Sequence, residues 1–164
     1  MRNLVLLSTV AALVALTSFN AKATNVDANG VAKVSIVDAV AMTHDNNAAL
    51  DFGTAMSAVN HTITIDPATG NQTSSDTGQI VATGNRDHFT VTVPANMDLD
   101  ITLPSSALAL GTGLSVTNFT SSPASSISAT KTGPNDIYVG GTLNVTEGAA
   151  TGDYTQSYTL TISY

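Results

Sequence analysis

Apolar and polar residues alternate with a period of two in short runs along most of the chain: VAKVSIV at 31–37, HTITI at 61–65, QIVAT at 79–83, HFTVTV at 88–93, DLDITL at 98–103, LSVTNF at 114–119 and YVGGTLNV at 138–145. A period of two is what a strand with one buried face produces, and the Thr, Val and Ile that fill these runs suit a pleated surface. Between them lie DPATGN, TGNRD, VPAN, ALGTG and TGPND. The Gly, Pro, Asn and Asp of these stretches supply the dihedral angles that tight turns require. Short strands separated by turns, with no helical period beyond the first residues, predict an all-β sandwich. The low-complexity stretch at 121–131, SSPASSISATK, reads as an exposed loop leading into a weak edge strand.

The last run, GDYTQSYTLTISY at 152–164, is the longest. Tyr154, Tyr158, Leu160, Ile162 and Tyr164 share one parity, broken only by Gln156, while Thr and Ser occupy the other. The pattern predicts a strand with one apolar face through Tyr164, where terminal residues ordinarily bury too little to repay their ordering entropy.

At the other end, Met1, Arg2 and Asn3 precede an apolar run at 4–16, and the small-x-small pattern of FNAKA ends at Ala23. This is the pattern of a secretory signal peptide over 1–23, too short for a membrane span. The expectation is an exported protein of 141 residues, passing through the periplasm to the cell surface or the medium. Three cations then face twelve acids, a mature net charge of −9 that repels nucleic acid and anionic lipid. The length suits one domain, with an N-terminal extension at 24–40 before a sandwich at 41–164. With no cysteine in the chain, packing and sheet hydrogen bonds must hold it together.

Catalytic patterns are missing from the sequence: there is no cysteine nucleophile, no Gly-rich phosphate loop and no HExxH spacing. The expectation is a protein that is not an enzyme and carries no cofactor. His44, His61 and His88 are far apart and read as surface histidines on loops and strand starts rather than metal ligands. Asp66 and Asp76 bracket a stretch that lacks the ligand spacing of an EF-hand and reads as a hairpin loop. Asp98 and Asp100 share a strand face, the ordinary pattern of solvated carboxylates. The four Asn-x-Thr sequons at Asn60, Asn71, Asn118 and Asn144 matter only in a eukaryotic secretory pathway. No Trp is available for a glycan platform.

ALDFGT at 49–54, TITIDPATG at 62–70, FTVTVPAN at 89–96, ITLPSS at 101–106, YVGGTLNV and the closing run together resemble the domain-of-unknown-function family 4402 of bacterial exported proteins. The resemblance spans nearly all of the chain after the signal. It implies an immunoglobulin-like, pilin-type β-sandwich lacking its last strand, and a structural subunit of a surface fimbria. It also implies, as partners, a periplasmic chaperone, an outer-membrane usher and further copies of the chain, with no catalytic residue. In such a subunit the C-terminal strand lines a groove that the chaperone fills first and the N-terminal extension of the next subunit fills afterwards. On that reading Tyr154, Tyr158, Leu160, Ile162 and Tyr164 face the groove, and Val26, Ala28, Gly30, Ala32, Val34 and Ile36 form the donated face of the N-terminal extension. Two alternatives stand beside it. The N-terminal stretch is the first strand of its own domain, or the protein is a self-complete secreted binding module or adhesin, which would need an exposed polar-aromatic cluster on loops, whereas the candidates Phe52, Phe89, Phe119 and Tyr138 all read as core or strand residues.

Overall fold

The computed structural model describes residues 30–36, 39–94, 97–128 and 133–164. The chain divides into two units, Met1–Ser35 and the larger Ile36–Tyr164. Of the first unit, residues 30–35 are described: they belong to no strand, and Val31 and Val34 are exposed. The expected signal peptide and the start of the N-terminal extension lie outside the described residues. Where 31–37 reads as a strand in the sequence, 31–36 join no ladder.

The second unit is all-β among the described residues. Its strands are β1 (Ala41–His44), β2 (Thr54–Ala55), β3 (His61–Ile65), β4 (Gln72–Ser74), β5 (Ile80–Ala82), β6 (Asp87–Val93), β7 (Leu99–Thr102), β8 (Leu108–Gly111), β9 (Leu114–Ser122), β10 (Ser126–Ile127), β11 (Gly133–Val145) and β12 (Thr161–Ser163). They form a seven-stranded sheet ordered β1-β6-β11-β3-β4, with β9 on β11 and β8 on β9, a three-stranded sheet β10-β7-β12 and a two-stranded ribbon β2-β5.

β11 organises the molecule. One edge pairs with β6 over Gly133–Val139 and then with β3 over Gly141–Val145, while the other edge pairs with β9 over Tyr138–Val145. The handover falls at Gly140, where the backbones crowd: a Cβ there would lie 2.2 Å from the Ile65 carbonyl oxygen. Only a residue without a side chain allows that approach. β11 starts at Gly133, five residues before the run that reads as a strand in the sequence, because β6 extends far enough to pair with a stretch that locally looks like a turn.

Alternate side chains of these strands fill two apolar clusters. In the first, Val91 and Val93 of β6 and Ile137 and Val139 of β11 meet Leu99, Ile127 and Leu160 from the smaller sheet's side, making a β-sandwich. In the second, Ile63, Ile65, Val116, Leu143 and Val145 enclose Phe52, and Phe119 borders both clusters. Phe52 is held by a close crossing of two segments. Asp51 and Asn85 exchange backbone hydrogen bonds of 2.9 and 2.8 Å, and the Gln72 amide donates to Phe52 O on one segment and accepts from Gly84 N on the other. The β3–β4 hairpin closes through residues 66–71, where the Asp66 carboxylate accepts the Ala68 and Thr69 N–H groups at 2.7 and 3.0 Å; the loop expected from Asp66 to Asp76 is therefore shorter, because Gln72–Ser74 pair with β3 as β4. Those two bonds, the Thr69 one first, hold the Asp66 carboxyl below its ordinary value.

Candidate functional site

Burial along the closing run follows the parity that the sequence predicts. Thr155, Ser157, Thr159, Thr161 and Ser163 are exposed, whereas Tyr154, Tyr158 and Ile162 are half-buried and Leu160 is buried. The ladder is much shorter than the pattern. Only Thr161–Ser163 pair, with Thr102, Ile101 and Asp100 of β7, and residues 153–160 run outside any strand. Tyr164 lies beyond β12 and is 82 % exposed, so the apolar face ends at Ile162. Period-two burial needs only an extended chain over a core, whereas a ladder also needs a partner backbone.

Each inward side chain has a distinct seat. The Tyr154 ring covers Gly111, where a Cβ would lie 2.6 Å from the ring, and its hydroxyl donates to Ala150 O at 2.8 Å. The Tyr158 ring lies 5.2 Å from that of Phe119 and 6.4 Å, edge-on, from that of Phe89. Tyr158, Leu160 and Ile162 all belong to the first apolar cluster. Beside this segment is an open groove of about 390 Å³, bounded by Leu103, Pro104 and Leu108 on one side and Tyr158 and Thr159 on the other. The walls mix Leu103, Pro104, Ala107, Leu108 and Tyr158 with the hydroxyl side chains of Thr102, Ser106, Ser157, Thr159 and Thr161.

Asp87 sits at the centre of this region. It shares the inward parity of Phe89, Val91 and Val93 and is 3 % exposed. Its Oδ1 is 2.7 Å from Nε2 of His44 on β1 and accepts the His88 N–H at 2.8 Å, and its Oδ2 accepts the Tyr158 hydroxyl at 2.7 Å. A carboxylate on the core face of a strand requires such donors. Burial first, and the Asp87 bond second, push the Tyr158 phenol well above its ordinary value. Sequence reasoning did not single out Asp87, although an acid on the apolar parity of 87–93 was the available signal.

The histidines divide. His44 and His88 are paired with carboxylates, His88 with Asp136 at 3.0 Å and Asp45 at 3.5 Å. Asn47 N–H, more than His88, holds the Asp45 carboxyl below its ordinary value. His61 is not a surface residue. It shares the inward parity of Ile63 and Ile65, is 5 % exposed, and its Nδ1 is 2.9 Å from Val59 O. Among the described residues no group of three His, Asp or Glu is placed to hold a metal ion. The aromatic candidates for a binding face are committed to packing: Phe52, Phe89 and Phe119 to the clusters, and Tyr138 to Arg86, whose guanidinium is 3.6 Å from the ring centre. Of the N-terminal face, Gly30, Ala32, Val34 and Ile36 are exposed, and Val26 and Ala28 lie outside the described residues.

The family model described as Domain of unknown function (DUF4402) matches residues 40–164, three quarters of the chain. The chain belongs to that family. The DUF4402 match begins just before β1 and ends with the last residue, so it takes in both clusters, the groove and the Asp87 centre. No curated protein and no solved structure matches the chain. Among the described residues of this DUF4402 protein, no helix is long and apolar enough to cross a membrane.

Proposed function

We propose that this protein is an exported structural subunit of a bacterial surface filament, built on an immunoglobulin-like, pilin-type sandwich that lacks its last strand. Copies join by strand exchange, the N-terminal extension of one filling the groove beside the closing segment of the next. A periplasmic chaperone and an outer-membrane usher handle the subunit before assembly. The observation that carries the reading is the segment 153–160, which buries Leu160 and half-buries Tyr154 and Tyr158, with Gln156 exposed on the same parity, while no strand ladder includes it. Val34 and Ile36, 84 % and 89 % exposed in a stretch that belongs to no strand, supply apolar side chains of the donated parity. Strand addition satisfies both, because backbone hydrogen bonds give affinity and alternate side chains enter pockets.

The test is to delete residues 24–37. Polymerisation should stop, and the same peptide fused after Tyr164 through a short flexible linker should restore a stable monomer at high effective concentration. Val34→Asp or Ile36→Asp in the fused peptide should prevent that rescue by driving a carboxylate into an apolar pocket, and Lys33→Asp should not. A stable, protease-resistant monomer from the deleted chain with no added strand would show that no groove awaits filling, and the reading would fall.

A further inference from the structure

The two carboxylate oxygens of Asp87 serve opposite ends of the domain. His44, on Oδ1, is the last residue of β1, the strand that follows the N-terminal extension in sequence. Tyr158, on Oδ2, belongs to the segment beside the groove. β1 is short and exposed along its length, and among the described strands only β6 pairs with it. Its attachment therefore depends heavily on the few groups that reach inward. The Phe89 ring runs the same route, 4.6 Å from the His44 ring and 6.4 Å from that of Tyr158.

We propose that Asp87 is a positioning residue that couples the closing segment to β1, so that movement of Tyr158 at the groove alters how firmly β1 is held. The Asp87 side chain is 5 % exposed and water cannot readily replace a lost donor. When Tyr158 withdraws, the negative charge redistributes onto the His44 and His88 bonds and the seat of β1 changes. Coupling of this kind is reciprocal, so loosening β1 weakens the hold on Tyr158 equally. Within the strand-exchange reading, on which its meaning for assembly rests, the device links occupancy of the groove to the strand at the base of the donated extension.

The measurement is amide hydrogen exchange on the full exported chain, with Tyr158→Phe removing only the hydroxyl. The expected result is exchange about tenfold or more faster in β1 and at the Asp45 amide, which donates to His88 O at 3.1 Å, with β9 amides unchanged. Tyr154→Phe, which removes a hydroxyl bond in the same segment without touching Asp87, should leave β1 exchange as it was. His44→Ala should in turn speed exchange at 160–162, and the double variant should fall short of the sum of the two singles. The proposal is overturned by unchanged β1 exchange in Tyr158→Phe, by equal acceleration of β1 and β9, or by additive effects. Because none of these readouts involves polymer, such a result leaves the strand-exchange reading standing, and loss of that reading leaves the coupling standing.

Discussion

Gly140 and Gly141 are adjacent in β11, and the fold treats them differently. In Gly140→Ala the new Cβ would sit 2.2 Å from the Ile65 carbonyl oxygen and 2.8 Å from Pro67 N and Cδ, mostly backbone that cannot swing aside. Reaching the 3.4 Å of ordinary contact requires a retreat of about 1.2 Å by the end of β3. Such a retreat breaks the Gly141–Ile65 pairing and dislodges Ile65, which is 1 % exposed. Losing two ladder hydrogen bonds at about 1 kcal/mol each, with overpacking of at least about 1 kcal/mol, totals about 3 kcal/mol. In Gly141→Ala the nearest atoms are at 3.4 and 3.5 Å, two of the three on side chains. There the entropy gained by replacing a strand glycine, roughly 0.5–1 kcal/mol, offsets the tight fit, and stability should stay within about 1 kcal/mol of the parent. For a domain of this size about 4 °C of Tm corresponds to 1 kcal/mol, so thermal unfolding followed by circular dichroism should separate the two variants by roughly 12 °C. Coincident midpoints would refute the argument that β3 and β11 meet too closely at residue 140 for any side chain.

Gly84→Ala, whose Cβ would lie 1.8 Å from Asp51 O, should cost about 3 kcal/mol or more in a urea titration. Gly78→Ala, with nothing within 4 Å and a φ of +86°, should cost only about 1 kcal/mol of backbone strain. Arg86→Ala removes two 2.6 Å bonds to Pro67 O and Ala68 O and the stack on Tyr138, and should lower stability by about 2 kcal/mol. Arg86→Lys should recover less than half of that in the same titration, since a point charge reproduces neither the fork nor the stack. The Tyr158 phenol titrates higher in the folded state than its ordinary 10.0, so its contribution is intact below that pH and is lost as pH rises above it, where the unfolded chain gives up the proton first. Alkaline unfolding followed by phenolate absorbance should be less steep in Tyr158→Phe than in the parent.

Local chemistry was legible in the sequence. Period-two runs marked β3, β6, β7 and β9 to within a few residues, and Asp, Pro, Thr and Gly at 66–70 marked the hairpin between β3 and β4, because inward parity and turn dihedrals depend on near neighbours alone. The same parity marked Tyr158, Leu160 and Ile162 as inward-facing. Strand length was decided by tertiary structure, since a ladder extends only as far as a partner backbone does. β11 runs back to Gly133 because β6 is there to meet it, and the closing strand shrinks to Thr161–Ser163, which pair with Asp100–Thr102 of the four-residue β7. Partners distant in the chain were likewise invisible beforehand. Nothing near Gly140 announces the Ile65 carbonyl, and nothing near Asp87 announces His44 and Tyr158, 43 and 71 residues away. A buried carboxylate or a crowded glycine becomes intelligible only when folding brings up the groups that share its space.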